Sequence, residues 1–254
     1  MAGPPTPYLY VQMDGTQVFV VKAETEGRAG RTPGQAARTR ECKLGAVFTQ
    51  TAVNDQGRPV RDEDSTTYVG AIETAEEFGL RIYTEAWNRG WDRATIRVIM
   101  GDGSHWIWNI ANQHFPGAIQ IVDLYHAREH LWNLARKLCP AHAAAQKRWL
   151  IRKLDWLENG TIEKLAASLC KLTEVNTNPE LVKAIRSEAE YFDNNRDRMR
   201  YPEFRAKNLF VGSGVIEAGC KTVIGSRLKQ SGMFWTVRGA NAIIAPFLLH
   251  QRQI

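Results

Sequence analysis

Three carboxylates in this chain stand where a pair of divalent cations could be shared. Asp14 lies in Tyr-Val-Gln-Met-Asp-Gly-Thr, Asp102 in Val-Ile-Met-Gly-Asp-Gly-Ser, and Glu217 in Ser-Gly-Val-Ile-Glu-Ala. Each Asp ends an apolar run that reads as a strand, and the Glu sits in a helical stretch. Carboxylates at the ends of two strands meet only if the strands are neighbours. If they are, the chain can hold two metal ions, the chemistry of cutting and joining phosphodiesters. All-oxygen ligands favour Mg2+ or Mn2+ over zinc.

The elements that would position them follow from hydrophobic period. Tyr8 to Met13 is short and β-rich, and Asp14-Gly15 signals a tight hairpin with Val18 to Lys22 as its partner strand. Thr25 to Arg40 reads as a loop, Cys42 to Val53 as a third strand, and Asn54 to Thr66 as a polar loop. From Val69 to Trp91 the period becomes helical, through Ile72, Ala75, Phe78, Leu80, Tyr83 and Trp87. Ala94 to Met100 is an apolar strand, Trp106 to Phe115 a helix, and Ala118 to Val122 a fifth strand. Asp123 then caps a long amphipathic helix through Leu131, Leu134 and Leu138.

The order β-β-β-α-β-α-β-α predicts an α/β fold. It is a mixed five-stranded sheet of the ribonuclease H-like kind, three strands antiparallel and two parallel, flanked by helices. The fourth strand, placed beside the first, brings Asp14 and Asp102 to one edge, on strands about 5 Å apart. Residues 141–207 carry Trp and Leu at helical spacing and read as an all-helical insertion. The expected organisation is a first part of the core over residues 1–140, the insertion over 141–207, and C-terminal core helices bearing Glu217 over 208–254.

Composition is that of an ordinary globular chain, 254 residues long with 24% charged residues and a net charge of +6. The basic excess is clustered: nine basic residues against three acidic ones lie between Arg196 and Arg238. Such a stretch is the footprint of phosphate contacts or a solvated basic face. Arg227, Lys229 and Arg238, with Trp235 for stacking on bases, are the expected DNA-binding residues. The four cysteines form no Cys-x-x-Cys pair, so reduced thiols are expected. No run is long enough to span a membrane, and Met1 to Pro7 lacks a signal peptide's pattern, so the expected location is cytoplasmic, with the nucleoid.

The run from Gly212 to Trp235, with Met-Asp-Gly-Thr, Arg-Glu-Cys-Lys-Leu-Gly, Gly-Asp-Gly-Ser-His-Trp-Ile and Asp-Leu-Tyr-His, resembles blocks of the Kra-type bacterial insertion-sequence transposases. These ordered blocks cover Tyr8 to about Ala242. The resemblance implies an Asp-Asp-Glu nuclease that cuts and rejoins element ends, with two Mg2+ or Mn2+ ions on Asp14, Asp102 and Glu217. Its partners would be terminal-repeat and target DNA and further copies of itself. Asp123 and His126 match the Asp-x-x-His signature of Mutator-like and hAT transposases, which implies a site-organising role.

Other readings compete for the same residues. Asp14-Gly15 is also a hairpin turn, Asp102, Ser104 and Asp123 are helix caps, and Glu217 suits a helix start. His126-Ala-Arg-Glu-His130 spells the inverted zinc-peptidase motif, with Glu129 as base. A third reading is a catalytically silent DNA-binding remnant. Only thirteen residues precede Asp14, and Pro246 interrupts the expected last helix, which suggests a fragment or decayed copy.

Overall fold

The computed structural model describes residues 6–30 and 34–250, the backbone alone from residue 246 on. The readings placed on the first five residues and on the terminal Arg-Gln-Ile lie outside the described residues.

Five strands form the sheet: β1 (Thr6–Phe19), β2 (Thr39–Gln50), β5 (Thr67–Ala71), β6 (Ala94–Gly101) and β7 (Ile119–Val122). Between β2 and β5, β3 (Ala52–Val53) and β4 (Pro59–Val60) make a separate two-stranded ribbon. The sheet order is β5-β2-β1-β6-β7, with β1/β2 and β2/β5 antiparallel and β1/β6 parallel. This mixed sheet with flanking helices is the ribonuclease H-like architecture expected from the element order. Central β1 is covered on both faces, so Leu9 to Met13 are all fully buried and the strand reads as a continuous apolar run.

Two strand assignments differ from expectation. Asp14-Gly15 is no hairpin: β1 runs straight through it, pairing Asp14 with Leu44 and Gly15 with Lys43. A two-residue hairpin of the favoured type needs left-handed backbone, and Gly15 is not among the positive-φ glycines. Its amide donates instead to Asp14 Oδ1 at 2.7 Å. The meander's third strand is β5, where the helical reading was expected to begin. The helix α1 (Ala75–Asn88) starts only after Thr74, which forms a capping box with Glu77. Its buried stripe is Phe78, Ile82 and Ala86, whereas Leu80 is exposed.

The chain divides into two compact units. The first, residues 1–52, 60–119 and 213–254, holds β1, β2, β5, β6, α1, α2 (His105–His114), α8 (Gly214–Gly219), α9 (Ser226–Leu228) and α10 (Val237–His250). Between α8 and α9 the chain makes a π-helical turn, Cys220–Gly225. One face of the sheet packs Val18, Leu44 and Ala46 against Ile216, Val223, Ile224 and Leu228 of this C-terminal stretch. Asn241 of α10 closes the β5 end, its Oδ1 accepting from the Ile72 amide at 2.8 Å.

The second unit, residues 53–59 and 120–212, carries α3 (Leu124–Leu138), α4 (Ala143–Glu158), α5 (Ile162–Val175), α6 (Pro179–Asn194) and α7 (Tyr201–Ala206). Its core is an aliphatic stripe that includes Leu131, Leu150, Leu157, Leu165, Leu169 and Ile185, with Phe192. Lys153 is buried there, its ammonium 4.4 Å from the Trp156 ring centroid and 5.7 Å from that of Trp149, and donates to Ser168 Oγ at 2.6 Å.

Candidate metal centre

All three expected metal ligands fall in the first unit. The parallel ladder of β1 and β6 pairs Tyr10 with Val98 and Gln12 with Met100. The ladder ends at Gln12 and Met100, two residues before Asp14 on β1 and two before Asp102, which follows the end of β6. Adjacent strands lie about 4.8 Å apart, a spacing that suits one shared ion pair. Glu217 comes from α8, whose N-terminal turn packs over β1 and β2.

Local donors engage each carboxylate. Asp14 accepts from the Gly15 amide through Oδ1 and from the Cys220 thiol through Oδ2, the latter at 3.4 Å. Asp102 accepts from the Ser104 amide at 2.8 Å and from Ser104 Oγ at 3.0 Å. Glu217 is exposed and accepts from Ser213 Oγ at 2.8 Å. Burial, reinforced by the Asp14 carboxylate, pushes the Cys220 thiol well above its ordinary pKa, so it remains a neutral donor. With their oxygens turned to these partners, the ligand atoms of Asp14, Asp102 and Glu217 do not all come within 4.8 Å of one another. The donor set is hard oxygen, as Mg2+ or Mn2+ requires.

Sequence reasoning missed Gln12. This fully buried side chain accepts from the Ile216 amide at 3.0 Å through Oε1, and its Nε2 lies 3.3 Å from Met100 Sδ. A glutamine inside an otherwise apolar run, two residues before a candidate ligand, is the signal that could have found it: burying an amide costs free energy unless it is bonded.

The expected DNA-binding residues belong to the same unit. Lys229 and Arg238 are exposed. Lys229 donates to Thr16 Oγ1 on β1, and Arg227 to the Thr222 carbonyl and Ser226 Oγ. Trp235 is half-buried against the apolar cluster of the C-terminal stretch and donates from Nε1 to the Leu228 carbonyl at 3.2 Å. The exposed aromatics nearby are Phe19 and Phe234, edge to face at 6.0 Å.

Asp123 and His126 lie in the second unit. Asp123 is fully buried and caps α3, accepting from the His126 amide at 2.6 Å, with His126 Nδ1 at 3.2 Å. His130 is held by Glu188 at 2.7 Å and stacks on Tyr191 at 3.8 Å. Among the described residues no group of three potential metal ligands combines His126 with His130, the pair a zinc peptidase would need. No helix among the described residues is long and apolar enough to cross a membrane.

No family model and no curated protein matches the chain. Among solved structures it is similar to the Drosophila P element transposase strand transfer complex, with a TM-score of 0.41 and 10% identity over 97% of this chain and 77% of that one.

Proposed function

We propose that the chain is the catalytic domain of a DNA transposase, an Asp-Asp-Glu nuclease acting on phosphodiesters at element ends. The observation that carries this reading is the parallel pairing of β1 with β6, whose last pair, Gln12 with Met100, comes two residues before Asp14 and two before Asp102, while Gln12 ties the start of the Glu217 helix to the same strand. The sequence blocks resembling Kra-type transposases are those that carry these three carboxylates.

Two Mg2+ or Mn2+ ions bound there would activate the attacking oxygen and stabilise the leaving one. The chain's own part is to supply three negative charges. Asp14, Asp102 and Glu217 would hold the ions. Lys229, Arg227 and Arg238 would offset DNA phosphates, and Trp235, Phe19 and Phe234 would offer aromatic surface to bases. Asp123 and His126 would have the site-organising role that the resemblance implies.

The test is strand cleavage of supercoiled or terminal-repeat DNA with Mg2+ or Mn2+. The intact chain is expected to nick it, and Asp14→Asn, Asp102→Asn and Glu217→Gln each to abolish nicking without loss of fold. An amide keeps the shape but not the charge that a divalent ion needs. Cleavage by Glu217→Gln at the wild-type rate would overturn the assignment.

A further inference from the structure

The residue that most deserves a role is one with no chemistry of its own. Ser213 occupies the N-cap of α8 yet makes no capping bond to the backbone. Its hydroxyl is turned to Glu217 Oε1 instead. A helix start needs acceptors for its first amides, and the acceptor for Ile216 comes from Gln12, 204 residues away in sequence.

A second contact makes this a two-point dock. Gln12 and Asp14 are two residues apart on one face of β1, about 6.6 Å along a strand. Their partners Ile216 and Cys220 are four residues apart on the helix, about 6 Å along its axis. The two rises match, so Gln12 holds Ile216 while the Cys220 thiol meets Asp14. Tyr68 adds a third point, its hydroxyl donating to the Val215 carbonyl at 3.1 Å. On the other side of β1, Gln12 Nε2 approaches Met100, two residues before Asp102. One buried amide therefore touches all three segments that carry the proposed ligands.

We infer that Gln12 is a positioning residue for the metal centre: it caps the Glu217 helix from the central strand, which frees Ser213 to orient Glu217 and fixes that carboxylate relative to Asp14 and Asp102. This rests on the three-carboxylate reading above. Groups that orient metal ligands in this way change affinity by about 10- to 100-fold when removed.

The experiment compares four full-length proteins: wild type, Gln12→Met, Tyr10→Phe and Glu217→Gln. Gln12→Met keeps the shape and removes the acceptor. Tyr10→Phe is the stability control, since Tyr10 shares β1 with Gln12 and the change deletes its buried hydrogen bond to Gln50 of β2. Two readouts are taken well below the melting temperature: Mn2+ affinity by calorimetry, and hydrogen exchange at the Ile216 amide by NMR without metal. Gln12→Met is expected to expose the Ile216 amide to exchange and to weaken Mn2+ about 10-fold or more. Tyr10→Phe should leave both within about threefold of wild type at a comparable loss of melting temperature. If Gln12→Met behaves as Tyr10→Phe does in both readouts, the role assigned to Gln12 is wrong. If Glu217→Gln binds Mn2+ as wild type does, the metal reading itself fails, and the exchange rate of Ile216 alone then decides whether Gln12 caps α8.

Discussion

Replacing Gly219 with Ala sets two physical effects against each other. Helix propensity alone favours alanine by about 0.5–1 kcal/mol. The close approach of the helix to the sheet opposes it. A Cβ at Gly219 would lie 2.3 Å from Tyr68 Cε1, 2.9 Å from Cδ1 and 3.1 Å from Leu44 Cδ2. The Tyr68 ring cannot swing aside without giving up its bond to the Val215 carbonyl, a loss of about 1 kcal/mol. Overpacking of this kind costs about 1–3 kcal/mol. The sum is a net destabilisation of about 1–3 kcal/mol, opposite in sign to propensity. Urea unfolding of Gly219→Ala, alone and in a Tyr68→Ala background, checks it, and the penalty should shrink by at least half once the ring is gone. A Gly219→Ala protein as stable as wild type would refute the idea that this glycine lets the Glu217 helix close on β2 and β5.

Other outcomes follow from the same structure. Burial, and then the charge of Arg152, lowers Lys153 from 10.5 to about 8. The fold therefore disfavours its charged form, and wild type should gain stability over Lys153→Met as pH rises from about 8 to 10.5. Hydrogen bonds from Arg200 hold exposed Glu163 at about 2. Its contribution is present above pH 4.5 and fades as pH falls towards 2, so Glu163→Gln should cost under about 1 kcal/mol at pH 7 and nothing at pH 2, by thermal unfolding. Phe19→Ala with Phe234→Ala should weaken binding of fluorescent single-stranded DNA by about tenfold while leaving the melting temperature within a few degrees; unchanged affinity would remove the pair from the interface.

The sheet's plan was legible because its apolar runs are separated by clear breaks, and because β6 must return beside β1 after a helical crossover. The α1 boundary was blurred because Val69, Ile72 and Ala75 continue the apolar spacing across the end of β5; only the Thr74–Glu77 capping box marks the switch. Asp14-Gly15 misled for a different reason. The dipeptide favours a turn in isolation, but long-range pairing with Lys43 and Leu44 outweighs that preference and keeps the backbone extended. Of the candidate centre, the proposed carboxylates stand out in the sequence because each ends or follows a recognisable run. Gln12 could not be assigned its task, since its partner Ile216 is near it only in the fold.

The most direct measurement is anomalous scattering from a crystal of the intact chain soaked in Mn2+. Two peaks about 3.5–4 Å apart are expected, ligated by Asp14, Asp102 and Glu217, with one or both lost in Glu217→Gln. A saturated crystal with no peak at these carboxylates, or with Mn2+ bound only elsewhere, would contradict it.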